Sequence, residues 1–212
     1  LQLHSNSLNG TIPSQLSALS SLHRLLLSEN SLTGTIPSQF SALGDLYNLT
    51  LSSNSLTGII PSHFSALSSM GLLDLSGNSL NGTIPMQLSA LSRNLTYLYL
   101  NNNSLVGSIP PQLSALTNLQ AFYVNANKLT GAVGDFICIP SIQPNQLLIG
   151  TNNFSCINEC VAAINLNTCG PSTYNCPPTP VTASCGTPGA AYTPTFAPSF
   201  SPSATVKPTE IS

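Results

Sequence analysis

Charged side chains are scarce in this chain of 212 residues: lysine, arginine, aspartate and glutamate make up 5% of it, against roughly 25% in a typical soluble domain. The net charge is -2, so the chain has no basic surface with which to neutralise phosphates or anionic lipid headgroups. We therefore exclude nucleic-acid binding and electrostatic docking to a membrane. The sequence also has no apolar run long enough to span a membrane and no signal peptide.

Groupings of catalytic residues are missing as well. The three histidines, His4, His23 and His63, have no Ser–His–acid pattern or paired carboxylates around them. No phosphate-binding loop or nucleophile elbow is present. The sequence predicts a protein that is not an enzyme and that carries neither a cofactor nor a metal.

A surface with so few charged side chains must be hydrated by other polar groups. Serine, threonine and asparagine are abundant, and six sites fit the N-glycosylation pattern N-x-[ST]: Asn9, Asn48, Asn81, Asn94, Asn102 and Asn153. These sites favour a secreted, extracellular glycoprotein, although some sequons arise by chance in a chain rich in serine and asparagine.

Cysteine is absent from the first 137 residues of the chain. The six cysteines are Cys138, Cys156, Cys160, Cys169, Cys176 and Cys185. An even, clustered set in a chain rich in sequons predicts disulfides formed in an oxidising compartment, with the pairing open. Zinc is the weaker alternative, because no histidine follows Cys138 and four well-spaced ligands are not apparent.

An internal repeat dominates the sequence. An asparagine recurs at spacings of 24, 24, 24, 25, 24 and 25, at Asn6, Asn30, Asn54, Asn78, Asn103, Asn127 and Asn152. The surrounding frame is LxxLxLxxNxLxGxIPxxLxxL, which residues 46–67 and 70–91 fill clearly. Its LxL pair predicts a short strand with both leucines in the core. We expect the asparagine amide to bond to the backbone of neighbouring coils, the glycine to allow a tight turn, and the proline to precede a short convex helical turn. Stacked coils would bury the leucines in one continuous core.

The frame resembles the plant-type leucine-rich repeats of receptor-kinase ectodomains and polygalacturonase-inhibiting proteins over about residues 1–155. This resemblance implies an α/β solenoid, a right-handed superhelix with a parallel β-sheet on its concave side and a second short strand, which carries GxIP, beside that sheet. The family normally begins with a cysteine-bearing cap. This chain starts at the fourth position of a repeat without one, which predicts a processed or partial chain.

The chain divides into three predicted parts. Residues 1–133 form six repeats, the first of them incomplete. The frame dissolves after Phe154, and Cys156 stands where the turn glycine is expected, so residues 134–185 are predicted to be a degenerate seventh repeat and a disulfide-stapled C-terminal cap. Residues 186–212 are rich in proline, serine and threonine. They predict either an extended, O-glycosylated stalk or a disordered linker.

Three regions are candidates for function. The first is the exposed side of the concave strands, which carries His23, Arg24, Glu29, Tyr47, Asn48, Asp74, Tyr97, Tyr99, Gln120 and Tyr123. Four of the six tyrosines lie there, and tyrosine combines apolar area with a polar group, as interface residues do. We expect a protein, peptide or glycan to bind this face. The alternative is that aromatic residues simply suit strands, and a glycan on Asn48 would count against a broad site.

The second region is a column beside the GxIP strand, made of Asn9/Thr11, Thr33/Thr35, Thr57/Ile59, Asn81/Thr83 and Val106/Ser108. Regular threonines on a strand face are typical of ice-binding surfaces, but glycans on Asn9 and Asn81 would cover this one. The third region is the uncapped first coil, where Leu1 and Leu3 would need a covering partner. If the cap of an identical molecule covers them, the contact propagates head to tail into a fibre.

The sequence therefore predicts a non-enzymatic extracellular glycoprotein that acts as an interaction or structural module of the cell surface or matrix. A subunit of a self-assembling fibre is the alternative, and an ice-binding protein is a further one.

Overall fold

Stacked coils of one repeat build the molecule. The computed structural model describes residues 1–133, 141–142 and 146–157. Its strands are β1 (Asn9–Thr11), β2 (Arg24–Leu26), β3 (Ser31–Thr33), β4 (Asn48–Thr50), β5 (Leu72–Asp74), β6 (Tyr97–Tyr99), β7 (Val106–Gly107), β8 (Ala121–Tyr123), β9 (Lys128–Val133), β10 (Leu147–Leu148) and β11 (Asn153–Ile157). Five 3₁₀ helices are η1 (Ser14–Ala18), η2 (Ser38–Ala42), η3 (Ser62–Ala66), η4 (Met86–Leu91) and η5 (Pro111–Ala115).

The LxL segments form one parallel sheet in the order β10-β8-β6-β5-β4-β2. Equivalent positions of successive coils pair with each other: Leu25 pairs with Leu49, and Leu49 pairs with Leu73. These leucines are completely buried, because alternate side chains of a strand point to the same face. The predicted concave parallel sheet is confirmed.

The GxIP segments form a second, shorter set of parallel pairings on the neighbouring side of each coil. Strand β1 pairs with β3, and β9 lies between β7 and β11. Isolated bridges, Thr35 with Thr57 and Ile59 with Asn81, continue the series between these two groups. The predicted second strand of the repeat is therefore present, although it is only a bridge in the middle coils.

Each proline of the GxIP segment precedes a 3₁₀ helix. Pro37 and Pro61 have φ values of -63° and -64° and cap η2 and η3 without a side-chain hydrogen bond. A single buried residue, Phe40 in η2 and Phe64 in η3, anchors each of these turns to the core. The expected convex helical turns are confirmed, and they are of the tighter 3₁₀ type.

The repeat asparagine joins neighbouring coils. The amide nitrogen of Asn54 donates to the carbonyl of Leu27 in the preceding coil at 3.0 Å, and its Oδ1 accepts from the amide of Leu32 in that coil at 3.0 Å. It also donates to Leu51 and Ser52 of its own coil. Each internal coil from Asn30 to Asn152 repeats this pattern. The predicted bonding of asparagine to neighbouring coils is confirmed.

Candidate functional site

Besides Asn48, which is the first residue of β4, the nine other residues predicted on the concave face lie on the concave sheet or beside it. Five belong to its strands: Arg24, Asp74, Tyr97, Tyr99 and Tyr123. His23, Tyr47 and Gln120 immediately precede β2, β4 and β8, and Glu29 follows β2. Binding by these residues remains a prediction.

Three of the tyrosines form a contiguous group, which we call the tyrosine cluster: Tyr97, Tyr99 and Tyr123. The ring centroids of Tyr97 and Tyr99 are 6.2 Å apart, and those of Tyr99 and Tyr123 are 4.7 Å apart. Both pairs are tilted, by 33° and 39°, which is a favourable arrangement of aromatic quadrupoles. The cluster spans the neighbouring strands β6 and β8 and gives the concave face a half-buried aromatic surface.

Two glutamines orient two of the three hydroxyl groups of the cluster. The Tyr97 hydroxyl donates to Oε1 of Gln120 at 3.1 Å, and the Tyr123 hydroxyl donates to Oε1 of Gln146. Sequence reasoning missed Gln146, because the repeat frame has decayed in the seventh coil. The signal was its place six residues before Asn152, which is the place that Tyr97 has before Asn103.

Burial affects the acidity of the cluster. Partial burial raises the pKa of the Tyr99 hydroxyl above 10.0, and the nearby Tyr123, Tyr97 and Asp74 raise it further. Partial burial also raises the pKa of Tyr123. Asp74 pairs in register with Tyr99, and its Oδ1 accepts hydrogen bonds from the amide and hydroxyl of Ser76. Tyr99 and Tyr123 therefore keep their protons to a higher pH than an exposed tyrosine does, and the carboxylate of Asp74 lies beside Tyr99.

Tyr47 lies apart from the cluster, with β5 between β4 and β6. Its ring covers Gly71, and a Cβ atom at position 71 would collide with it. Gly71 is buried, whereas Tyr47 is 48% exposed. The four tyrosines therefore share the concave face as predicted, but only three of them form the tyrosine cluster, and Tyr47 is separate from it.

A shallow depression of about 260 Å³ lies towards the first coil, and its lining includes His4, Leu26, Ser28, Glu29 and Asn48. Within it the Ser5 hydroxyl donates to Oε2 of Glu29 at 2.8 Å. Glu29 has a φ of 56°, in the left-handed region that non-glycine residues seldom adopt. The residue before each of the seven repeat asparagines has this conformation, at Ser5, Glu29, Ser53, Gly77, Asn102, Ala126 and Thr151.

The predicted sequons occupy different surroundings. Asn9, Asn81, Asn94, Asn102 and Asn153 are exposed, and Asn48 is half-buried. Oδ1 of Asn48 is buried without a hydrogen-bond partner, and the amide of Asn94 donates to the carbonyl of Ser68 at 2.7 Å. N-glycosylation at all six remains a prediction.

A second surface follows the GxIP strands. The third and fifth residues after each of the six repeat asparagines from Asn6 to Asn127 are exposed; we call this surface the threonine face, and it consists of Asn9, Thr11, Thr33, Thr35, Thr57, Ile59, Asn81, Thr83, Val106, Ser108, Thr130 and Ala132. None of these residues is charged or aromatic, and six are threonine. Sequence reasoning recognised five of the six coils and missed Thr130 and Ala132.

Catalytic and metal-binding arrangements are not found in the part of the chain that the structure describes. It contains no group of three or more His, Cys, Asp or Glu residues placed to hold a metal ion. His63 lies in η3, on the convex side, away from the strands that carry His23. Among residues 1–133, 141–142 and 146–157, no helix has the length and apolarity needed to cross a bilayer.

Most of the predicted cap and all of the predicted tail lie outside the described residues. These are Cys138, Cys160, Cys169, Cys176 and Cys185, the disulfides that they would form, and residues 186–212. The backbone of Cys156 is part of β11, which pairs with β9 with a register shift between Phe154 and Cys156.

Three leucine-rich-repeat family models match the chain. The models described as "Leucine rich repeat", "Leucine Rich repeats (2 copies)" and "Leucine Rich Repeat" match residues 44–105, 93–136 and 21–43. No curated protein matches the chain in sequence.

Solved structures of plant proteins share the fold. A plant ice-binding protein is 36% identical with a TM-score of 0.70, and the match covers 76% of this chain and 52% of that one. The BIR3–SERK2 complex of Arabidopsis thaliana contains a chain that is 42% identical with a TM-score of 0.55, matched over 61% of this chain and 68% of its own. The plant peptide hormone receptor RGFR1, in complex with RGF2, is 31% identical with a TM-score of 0.58, matched over 73% of this chain and 28% of its own.

This chain spans about half the length of the ice-binding protein and less than a third of the hormone receptor. The matched models and the shared coil geometry agree with the repeat that the sequence predicts. The chain belongs to the leucine-rich-repeat family and resembles the ectodomains of plant receptor kinases.

Proposed function

We propose that this leucine-rich-repeat protein is a non-enzymatic interaction module of the cell exterior, and that its concave face binds a peptide or protein partner. The observation that carries the proposal is the tyrosine cluster, in which the ring of Tyr99 packs against those of both Tyr97 and Tyr123 on adjacent concave strands. Aromatic residues of this kind dominate binding energy at interfaces, because they bury a large area with little loss of side-chain entropy.

The arrangement of the cluster favours an extended segment as the ligand. Its rings project from neighbouring parallel strands, so a segment crossing β6 and β8 would contact all three. The hydroxyls held by Gln120 and Gln146 keep oxygen lone pairs free to accept hydrogen bonds from a ligand backbone. The similar protein RGFR1 is described as a peptide hormone receptor, which supports a peptide as the ligand.

The extracellular placement rests on several features of the chain. Six sequons, clustered cysteines and a charged fraction of 5% all suit an oxidising, glycosylating route of synthesis. The receptor ectodomains to which the chain is similar support the same placement. End-to-end association into a structural fibre stays a prediction; Leu1 and Leu3, through which it would occur, are exposed.

A random peptide library displayed on phage tests the recognition proposal. We expect enriched sequences whose binding falls at least about tenfold in the variant Tyr97→Ala/Tyr99→Ala, as for residues at the centre of an interface. The convex variant His63→Ala is the matched control and should bind normally. Peptides that bind the double variant as tightly as the native chain would remove the tyrosine cluster as the site.

Ice binding is a second candidate function. Two observations favour it: the similarity to a plant ice-binding protein over 76% of this chain, and a second exposed face that is free of charge and repeats from coil to coil. Inhibition of ice recrystallisation by the purified chain tests it. Crystals that coarsen as fast as with an equal concentration of serum albumin would exclude it.

A further inference from the structure

We propose that the threonine face, and not the concave sheet, is the surface that contacts ice. This inference rests on the second proposed function, because it assigns a site to that activity. The argument draws on three properties of the face: its register, the way its side chains are held, and its chemistry.

The register of the face repeats along the solenoid. Positions are counted here from the repeat asparagine of each coil. The fifth-position residue of one coil pairs with the third-position residue of the next: Thr35 pairs with Thr57, and Ile59 pairs with Asn81. Strand β1 pairs with β3 in the same way, which places Thr11 beside Thr33. Paired residues of parallel strands lie about 4.8 Å apart, so the face presents pairs of side chains at a constant separation. A crystal surface is periodic, so only a periodic protein surface can meet it at many points at once.

The third-position threonines are held by hydrogen bonds. The hydroxyl of Thr33 donates to the carbonyl of Gly10, and that of Thr57 donates to the carbonyl of Gly34, both at 3.3 Å. The carbonyl of Gly34 also accepts a hydrogen bond from the backbone amide of Thr57, at 2.8 Å. Each bonded hydroxyl still has lone pairs that can accept a hydrogen bond from water.

The fifth-position side chains are held by packing. The γ-methyl groups of Thr11, Thr35 and Ile59 lie over the glycine of the following coil, so closely that a Cβ atom at Gly34, Gly58 or Gly82 would be 2.8 Å away. Thr83 has the same relation to Gly107, at 3.0 Å. β-Branched side chains have few χ1 rotamers, and these contacts restrict them further. The face is therefore pre-ordered, which lowers the entropic cost of binding a rigid surface.

The chemistry of the face suits solid water better than a macromolecular partner. Ice carries no net charge and offers hydrogen-bond donors and acceptors at fixed positions, with spaces that methyl groups can fill. A charged side chain on the face would have to give up its hydration shell, and none of the twelve residues is charged. Nor is any aromatic, so the face lacks the residues on which protein interfaces most depend. The concave sheet carries both types, in Arg24, Glu29, Asp74 and the tyrosine cluster.

Two sequons lie on the threonine face, at Asn9 and Asn81. The test therefore uses the full chain made in a host that forms disulfides but adds no N-glycans. Thr35→Lys and Thr83→Lys place a charge near the middle of the face. Gln39→Lys adds the same charge to an exposed position of η2 on the convex side, and Tyr97→Ala/Tyr99→Ala alters the concave face. Circular dichroism melts confirm that each variant is folded, and only folded variants are compared.

The measurement is the lowest protein concentration that stops ice recrystallisation. We expect Thr35→Lys and Thr83→Lys each to raise this concentration at least about tenfold, which corresponds to ~1.4 kcal/mol of binding free energy. Gln39→Lys and Tyr97→Ala/Tyr99→Ala should behave as the native chain. The milder Thr35→Val keeps the β-branched shape, and it serves as the test of the site should the lysine variants not fold: we expect a smaller loss.

The two failures are distinguishable. If the native, unglycosylated chain does not inhibit recrystallisation, ice binding itself is wrong. If the native chain is active and the folded threonine-face variants are equally active, the activity is real and the assigned face is wrong. Loss of activity in Tyr97→Ala/Tyr99→Ala alone would move the site to the concave sheet.

Discussion

The γ-methyl group of Thr35 lies directly over Gly58 of the next coil, and a Cβ atom at position 58 would stand 2.8 Å from it. Gly58 also has a φ of 77°, in the region that residues with a Cβ atom rarely adopt. Glycine is therefore required at this position for two separate reasons, one conformational and one steric. The same pair of requirements recurs at Gly34 and Gly82.

Alanine substitutions separate these two requirements. Gly10 has a φ of 76° but open space around it, and Gly44 has neither a positive φ nor a close neighbour. We expect Gly44→Ala to change the free energy of unfolding by less than about 0.5 kcal/mol and Gly10→Ala to lower it by about 1–2 kcal/mol. Gly58→Ala should lower it by about 2–4 kcal/mol, because overpacking adds to the backbone strain. Denaturant unfolding measures all three, and equal losses at Gly10 and Gly58 would show that the methyl contact has no energetic effect.

The asparagine ladder should be a major source of stability. Asn78→Ala removes hydrogen bonds to the carbonyls of Leu51, Leu75 and Ser76 and one from the amide of Leu56. Buried groups left without partners cost about 1–3 kcal/mol each, so we expect a loss of at least about 2 kcal/mol in denaturant unfolding. The side-chain amide of Asn6 donates only within its own coil and is exposed, so Asn6→Ala is the matched control. A loss at Asn78 no larger than that at Asn6 would contradict a role for the bonds between coils.

Tyr47 and Gly71 should be energetically coupled. Gly71→Ala would displace the Tyr47 ring, because the new Cβ atom occupies its place. We expect this substitution to destabilise the native chain and to be nearly neutral once Tyr47→Ala has removed the ring, with a coupling of about 1 kcal/mol. A double-mutant cycle by denaturant unfolding measures it. The cycle that pairs Tyr47→Ala with Gly44→Ala should be additive, and additivity in both cycles would contradict the contact.

The raised pKa values of Tyr99 and Tyr123 make stability depend on alkaline pH. The folded chain keeps protons on these hydroxyls at a pH where the unfolded chain, with a tyrosine pKa of 10.0, has begun to release them. The unfolded state then binds fewer protons, so the free energy of unfolding falls as pH rises through 10.0 towards the raised pKa. Thermal melts between neutral pH and pH ~11 should show a smaller fall for Tyr99→Phe/Tyr123→Phe than for the native chain. An identical fall in both would mean that burial does not perturb the two hydroxyls.

Much of the fold could be predicted because every coil has the same pattern of residues. Stacked coils bury the leucines at equivalent places of the frame against one another. The period of 24 or 25 residues therefore predicts both the parallel sheet and its core. The placement of Arg24, Asp74, Tyr97 and Tyr99 on one surface followed from the same argument, since alternate residues of a strand face the same way.

The seventh coil marks the limit of this reasoning. Its leucines and glycine no longer fill the frame, and Gln146 could be found only by counting back from Asn152. The left-handed backbone before each repeat asparagine was also missed, because serine, glutamate and alanine at that place carry no signal for positive φ.

The sequence by itself determined the repeat, the parallel concave sheet, the asparagine ladder and which residues share a face, because these depend only on position within a 24- or 25-residue frame. Only the tertiary structure decided which residues of a face touch. Tyr99 contacts Tyr123, whereas Tyr47 covers Gly71, because side-chain contacts between strands depend on the size of the neighbouring residue and the rotamer it permits. The pairing of Thr35 with Thr57, two frame positions apart, likewise arises from the offset between successive coils. Hydrogen bonds to the carbonyls of glycines with positive φ, such as Gly34, set this offset. The order of residues in the frame does not reveal it.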